Sequence, residues 1–406
     1  MPIRIRSPND SADRRCCRGV SSGTRYPVRG SIGPTWRIGV RPQQSPCESQ
    51  GSTRRFGGRS RPANERPSRG ILDVPSPAFA RIAVIGAGVS GLAFARQAAA
   101  HGASVTLFEK SRGTGGRVST RRFDDGATCD HGAQYFTARD PEFVRQVERW
   151  MADGAVGVWQ GRIGSRKAGK LAPVSENVVR MVGLPTMNAF CRQLADGLEA
   201  IRETRIVRAE RTDDQWRLFA DDGGEFGPFD ALVSTAPAEQ TAAILGSVAV
   251  SVGFAEELGE VRYAPCLAAM IRPVEPIRFE FDGLFVDDEP SVAWIARDSS
   301  KPGRGGAGEV WIVHGSPQRS AARFDDPPSE WGRELVDCFG RIVGVEVAMD
   351  RVVTHRWKYS LPIALRPEPL WNRAYGLGVC GDAFGGPRIE GAWLSGRALA
   401  SRLFST

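Results

Sequence analysis

The sequence predicts an α/β fold in which a parallel-sheet domain is interrupted by an inserted, β-rich α+β domain. Three observations predict it. Residues 81–109 read as strand, glycine turn, helix and strand in under 30 residues. A strand and a helix of the same kind return at Gly376–Cys380 and Gly391–Phe404. Between them lie short apolar, β-branched runs with few helical patterns.

Taken in order, the fold begins near Phe79. Arg81–Ile85 (RIAVI) is the kind of run a parallel sheet buries on both faces. Gly86–Gly91 turns the chain into an Ala-rich helix over Leu92–His101, which Gly102 ends. Ser104–Phe108 is the next strand, closed by Glu109. Pro141–Ala152 and Thr186–Leu198 read as helices, and Trp159–Pro173 as a hairpin with a glycine-containing turn. Ile206–Ala209, Trp216–Ala220 and Ala231–Thr235 read as strands. Ala268–Arg272, Leu284–Val286, Val292–Ile295 and Val310–His314 make the insert β-rich. Ser329–Val343 reads as a helix, and glycine-rich Lys301–Gly308 as a surface loop. The expected division assigns 79–140, 201–245 and 351–406 to the parallel-sheet domain and 141–200 and 246–350 to the insert.

The net charge of +8 invites a nucleic-acid reading, which the charge distribution removes. Residues 1–78 hold 15 Arg, no Lys and 5 acidic residues, a net of +10 that leaves −2 for residues 79–406. That Arg/Ser/Pro-rich tail has no apolar periodicity and is expected to be disordered. Three readings of it stay open: an organellar transit peptide, a basic arm, or sequence translated ahead of the true start. The Arg-over-Lys bias of 49 to 5 suggests a GC-rich coding sequence, where such upstream frames are common. No run approaches 18 apolar residues, so no membrane span is expected. The five cysteines beyond the tail and the four histidines are scattered, which predicts no metal site, no disulfide framework and a reducing, cytoplasmic setting, or an organelle if the tail is a transit peptide.

The chemistry is carried by four segments. Gly86-Ala-Gly88-Val89-Ser90-Gly91 is GxGxxG between a strand and a helix, the context a dinucleotide site requires. Gly86 permits the tight turn, Gly88 the approach of a pyrophosphate, and Gly91 close helix–strand packing. The helix N-terminus offers its free N–H groups to that anion. Glu109, followed by Lys110, is placed to accept hydrogen bonds from a ribose diol and to repel a 2′-phosphate. Gly115-Gly116-Arg117 lets backbone approach a cofactor closely and supplies a fork for a phosphate. In Asp130-His131-Gly132-Ala133-Gln134-Tyr135-Phe136, Asp and Gly are expected to shape a turn beneath a ring system, with Gln134 and Tyr135 projecting toward it. Gly381-Asp382 ends a strand where an Asp suits a ribityl hydroxyl, and Glu390-Gly391-Ala392-Trp393 opens the last helix.

Together, GAGVSG with Glu109, GTGGR, DHGAQYF, STAP at 234–237, GDAF at 381–384 and IEGAWLSG at 389–396 resemble the FAD-dependent amine oxidase superfamily. The likeness runs from about residue 80 to 406 and is strongest to its renalase-like branch, through DHGAQYFTAR and HRWKYS at 355–360. The resemblance implies a p-hydroxybenzoate-hydroxylase-like fold, with an FAD-binding Rossmann-like domain and FAD lying across both domains. It implies Gly86, Gly88, Gly91 and Arg117 at the pyrophosphate, Glu109 at the adenosine ribose and backbone near Val207 at the adenine. Ala236, His131, Gly132 and Ala133 join the cofactor set, Asp382 meets the ribityl or phosphate region, and Gly391, Ala392 and Trp393 flank the flavin pyrimidine edge. It implies oxidation of dihydro isomers of NAD(P)H, a small-molecule substrate, by hydride transfer to flavin, with oxygen as acceptor. Cys380 is the only cysteine near the terminal motif, and its place in the strand predicts non-covalent FAD. Lys358 is the only lysine expected near the flavin. Gln134, Tyr135, Trp357 and Tyr359 are the candidate catalytic or wall residues. A flavin amine oxidase or desaturase, and a non-enzymatic dinucleotide-binding protein, remain alternatives.

Overall fold

The structure, a computed structural model, describes residues 79–405 apart from 175–177 and 305–307; the expected tail, 1–78, lies outside the described residues. The chain runs β1 (Arg81–Ile85), α1 (Val89–Ala100) and β2 (Ser104–Glu109), then the small hairpin β3 (Thr120–Arg122) and β4 (Thr128–Asp130). Helix α2 (Pro141–Ala152) leads to β5 (Val156–Val158), β6 (Ile163–Lys167), β7 (Lys170–Pro173) and β8 (Met181–Gly183). After α3 (Ala189–Ala195) come β9 (Glu199–Arg202), β10 (Ile206–Thr212), β11 (Gln215–Ala220), β12 (Glu225–Phe229) and β13 (Ala231–Ser234). Helices α4 (Ala238–Leu245), α5 (Ser247–Ser251) and α6 (Phe254–Glu260) precede β14 (Arg262–Ile271), β15 (Gly283–Val286), β16 (Val292–Arg297) and β17 (Trp311–Gly315). Then follow α7 (Pro317–Ala322), α8 (Pro328–Val343), β18 (Val352–Ala364), β19 (Leu370–Asn372), β20 (Leu377–Val379) and α9 (Ile389–Phe404).

Two sheets organise these elements. The first has the order β19-β20-β13-β1-β2-β9, parallel except for β19. Strand alternation divides β1 between two cores. Ile82 and Val84 share a core with Leu92 of α1 and Leu399 of α9. Ala83 and Ile85 share another with Trp216 and Leu218, on the three-stranded sheet β10–β11–β12. The apolar RIAVI run is therefore covered on both faces, which is why it lacks a polar–apolar alternation.

The second sheet has the order β18-β14-β17-β16-β15-β6-β7. Leu267, Ala269 and Ile271 of β14 pack with Trp331, Leu335 and Phe339 of α8. Those three helical residues stand one turn apart on one face, each worth about 2–3 kcal/mol of burial. The intervening Ala268 and Met270 point the other way, into the core that also holds Trp294, Ala296 and Ile312.

Several sequence expectations change. The helix expected over Thr186–Leu198 is shorter, Ala189–Ala195, and the chain after it becomes the edge strand β9. Strand β18, which carries HRWKYS, pairs antiparallel with β14 of the second sheet, so the chain rejoins the first sheet only at β19. Of the expected surface loop at Lys301–Gly308, residues 305–307 lie outside the described residues, and the part before them is anchored inward: Lys301 is 2% and Arg304 6% exposed. Their side chains find buried carboxylates, and that outweighs the loop's glycine-rich composition.

Candidate functional site

A continuous cleft of 1520 Å³ runs from the end of β2, past the N-terminus of α1, to β18 and the N-terminus of α9. At its first end the three glycines of GAGVSG have separate duties. Gly86 has φ +101°, and a Cβ on it would stand 2.5 Å from the Thr235 hydroxyl oxygen. A Cβ on Gly91 would stand 2.1 Å from the Gly86 carbonyl oxygen, so the helix is drawn against the turn. A Cβ on Gly88 would meet nothing within 4 Å. Gly88 caps α1 and lines the cleft with Val89 and Ser90, so the backbone there is open to an anion.

Glu109 is 5% exposed, and its carboxylate accepts from the amides of Ala87 (2.9 Å) and Ser111 (2.8 Å). Those bonds fix it at the cleft wall beside Lys110. Val207 and Ala236 also line this end. Gly115 and Gly116 both have positive φ, and the Gly115 amide donates to the Ala87 carbonyl, joining this turn to the first glycine turn.

Arg117 and Asp382 meet across the cleft as a fork, at 2.8 and 2.6 Å, and Arg117 also donates to the Ser360 carbonyl at 3.2 Å. Burial alone would lower the Arg117 pKa; the charge and hydrogen bonds of Asp382 outweigh it and raise it. Thus the guanidinium expected to grip a phosphate is engaged by the aspartate expected to meet ribityl. The pair joins the loop after β2 to the end of β20.

The DHGAQY turn divides by face. His131, Gly132 and Ala133 line the cleft. A Cβ on Gly132 would stand 2.0 Å from the Arg117 carbonyl oxygen. Gln134 is wholly buried, and its amide donates to the Asp130 and Gly132 carbonyls. Tyr135 packs among Trp159 (6.1 Å), Trp294 (5.9 Å) and the Arg180 guanidinium (5.2 Å). Neither lines the cleft, which corrects their assignment as substrate contacts: both turn into the core behind the loop.

Behind that loop lies a buried polar cluster that sequence reasoning missed. The Lys301 ammonium is 2.6 Å from Asp298, 3.2 Å from Asp130 and 3.1 Å from the Gln134 carbonyl oxygen. Arg304 also pairs with Asp130. Burial opposes ionisation of Asp130, yet Lys301 and Arg304 hold its pKa below the usual value. Asp298 is pushed upward by burial. Only composition hinted at this: Lys301 is one of five lysines in a chain that otherwise uses arginine.

At the far end, Trp357 and Tyr359 line the cleft, joined by His355 and Arg121. Arg356 and Lys358 between them line the cleft as well, so strand alternation did not single out His355. Lys358 is exposed and lies 5.3 Å from the Tyr359 ring. Burial first, then His355, lowers the His131 pKa to about 4. On α9, Ala392 lines the cleft, but Trp393 does not: it is 3% exposed and lies 5.4 Å from Phe143. The step of about 100° between successive helical residues turns it to the α2 side. Gly391 is not at the cleft wall either; it lets the 385–386 backbone approach α9, where a Cβ would lie 2.2 Å from the Gly386 oxygen.

Residues 84–150 match the family described as an NAD(P)-binding Rossmann-like domain. Over 52 residues the chain is 52% identical to the 4,4'-diapophytoene desaturase (4,4'-diaponeurosporene-forming) of Staphylococcus aureus strain Newman. That match covers 13% of this chain and spans a tenth (10%) of the curated relative's length. An oxidoreductase from Methanosarcina mazei superposes with a TM-score of 0.61 at 14% identity, covering 79% of this chain and 99% of that one. Cyclohexylamine oxidase from Brevibacterium oxydans IH-35A superposes with a TM-score of 0.63 at 12% identity, covering 80% and 98%. The fold is therefore one shared with these two structures: a Rossmann-like α/β domain with a second, β-rich sheet. Among the described residues, no helix is long and apolar enough to cross a membrane.

Proposed function

We propose that this chain is an FAD-dependent oxidoreductase of renalase-like type, oxidising dihydronicotinamide-like isomers of NAD(P)H, with oxygen as the acceptor. The observation that carries the reading is the single cleft joining two helix N-termini, α1 and α9. The residues fit FAD. The open backbone at Gly88 and the α1 N-terminus suit its pyrophosphate, and the fixed Glu109 carboxylate suits a ribose diol. Backbone at Val207 would meet the adenine, and Asp382 with Arg117 would hold the ribityl–phosphate region. Gly132, Ala133 and Ala392 supply close walls for the ring. When bound, FAD would accept the hydride and pass two electrons to oxygen, giving hydrogen peroxide.

The protein's own residues then orient the donor and exclude water. No strong base is needed for a substrate that is already a hydride donor. Of the two imidazoles in the cleft, His131 is a weak base, with its pKa near 4, and burial lowers that of His355 as well. Trp357 and Tyr359 offer flat surfaces for a substrate ring. Cys380 supports non-covalent FAD: it is buried against the Ser90 hydroxyl at 3.2 Å, and burial pushes its pKa up to about 12.

The fold shared with cyclohexylamine oxidase favours a second reading, an amine oxidase or desaturase. Anaerobic mixing of the FAD-loaded protein with dihydronicotinamide isomers, and separately with simple amines, tests the two. Bleaching of the flavin band by the isomers is expected. Bleaching by amines alone would overturn the renalase-like reading. A colourless protein that refuses added FAD would leave a non-enzymatic dinucleotide-binding protein.

A further inference from the structure

The far end of the cleft holds a group of side chains whose joint charge the redox reading leaves unused. The His131 and His355 rings meet edge to face at 4.8 Å. Trp357 lies 4.4 Å from His355 and 5.1 Å from His131, inclined only 27° to the latter. Arg121 lines the same end. Its charge reaches both imidazoles, since it contributes to lowering the pKa of each, after burial and, for His131, after His355. The Arg121 backbone is paired with Cys129 of β4, but its side chain makes no hydrogen bond or ion pair among the described residues.

The carboxylates nearby do not compensate it. Asp382 is engaged by Arg117, and Asp130 by Lys301 and Arg304. Glu109 is bound by two backbone amides near β2. Asp124 also lines the cleft, from the exposed turn between β3 and β4, but makes no ion pair with Arg121. Arg122, next to Arg121, also lines the cleft and adds positive charge. This end therefore presents a flat indole, two imidazoles and uncompensated guanidinium groups.

We propose that it is an oxyanion subsite, taking a planar ring-bearing substrate through a carboxylate or phosphate group, with Trp357 as platform and Arg121 and His355 as donors. An arginine fork suits either oxyanion, and a neutral imidazole supplies one N–H. A protonated amine would meet like charge there, so the subsite selects against amines. The assignment of this anion as part of a substrate rests on the flavin-enzyme reading above; the binding of the anion does not.

Titration calorimetry of the full-length protein at pH 7 tests it, with benzoate, phenyl phosphate, benzamide and benzylamine as probes and the FAD content of the same sample measured by absorbance. Benzoate or phenyl phosphate is expected to bind about ten-fold or more tighter than benzamide, with no binding of benzylamine. The tighter of the two names the oxyanion as carboxylate or phosphate. Arg121→Gln is expected to weaken that ligand about ten-fold without moving the melting temperature, because Arg121 is exposed. Equal binding of benzamide, no anion binding at all, or an unaffected Arg121→Gln variant would overturn the subsite. Anion selectivity in a protein that binds no FAD would sink the flavin reading alone; FAD binding without anion selectivity would sink the subsite alone.

Discussion

The two ends of the cleft are built from different material. The end beside β2 is made of backbone: glycines at fixed positions, the N-terminus of α1, and a carboxylate held by amides. The end beside β18 is made of side chains drawn from separate elements, with His131 on one loop, Arg121 on β3, and His355 and Trp357 on β18. Beneath it lies a four-charge cluster of Asp130, Asp298, Lys301 and Arg304. A backbone-built site depends on Cβ atoms being absent. A side-chain-built site depends on what supports the side chains, so the two ends should fail in different ways.

The largest effect is expected in that support. Lys301→Met leaves Asp130 and Asp298 buried against one cation and should cost about 3–5 kcal/mol in denaturant unfolding. Adding Asp298→Asn, which removes the matching charge, should recover part of that loss. A loss below about 1 kcal/mol for Lys301→Met would mean the cluster is not a support.

Acid should act next. The His131 pKa in the folded protein, about 4, lies below the ordinary value of 6.5, so the native state binds fewer protons. Stability is then full above pH 6.5 and falls as the pH drops toward 4, by about 3 kcal/mol for this group. Burial lowers His314 in the same direction, to about 3. Unfolding free energies between pH 7 and 4.5, compared with those of His131→Asn, isolate the His131 share. An unchanged slope in that variant would contradict it.

Glycine substitutions sharpen the contrast at the other end. Gly91→Ala forces a Cβ to within 2.1 Å of the Gly86 oxygen and should cost about 1–3 kcal/mol in thermal unfolding. Gly88→Ala meets no atom of the protein and should leave stability nearly unchanged. Equal losses would show that both glycines serve packing. A smaller loss than that of Gly91→Ala belongs to Asp382→Asn. Its partner Arg117 is 35% exposed, so solvent screening limits the loss to about 1 kcal/mol, although FAD affinity should fall measurably in a fluorescence titration.

This division also explains what the sequence made legible. Backbone recognition requires glycine at set spacing next to a strand and a helix, so the tight turn at Gly86, the close packing at Gly91, the open backbone at Gly88 and the place of Glu109 at the end of β2 were legible as geometry. The α2 helix was legible to the residue because Asp140 caps it and Pro141 starts it. Gln134, Tyr135 and Trp393 were misplaced because a motif shows which residues are adjacent in sequence, not which face of a turn or helix meets the cleft. Lys301 and Arg304 were hidden for a related reason. Their partner Asp130 lies about 170 residues away, and a glycine-rich composition is shared by exposed loops and by loops pinned through their charges.

The most direct test of the account is an equilibrium titration of the FAD-free protein with FAD, for the natural chain and for Gly88→Val. The account predicts about one FAD per chain. It predicts that Gly88→Val, whose side chain enters the open space above the α1 N-terminus, weakens binding at least about ten-fold with an unchanged melting temperature. Failure of the natural chain to bind FAD, or equal affinity in the variant, would contradict it.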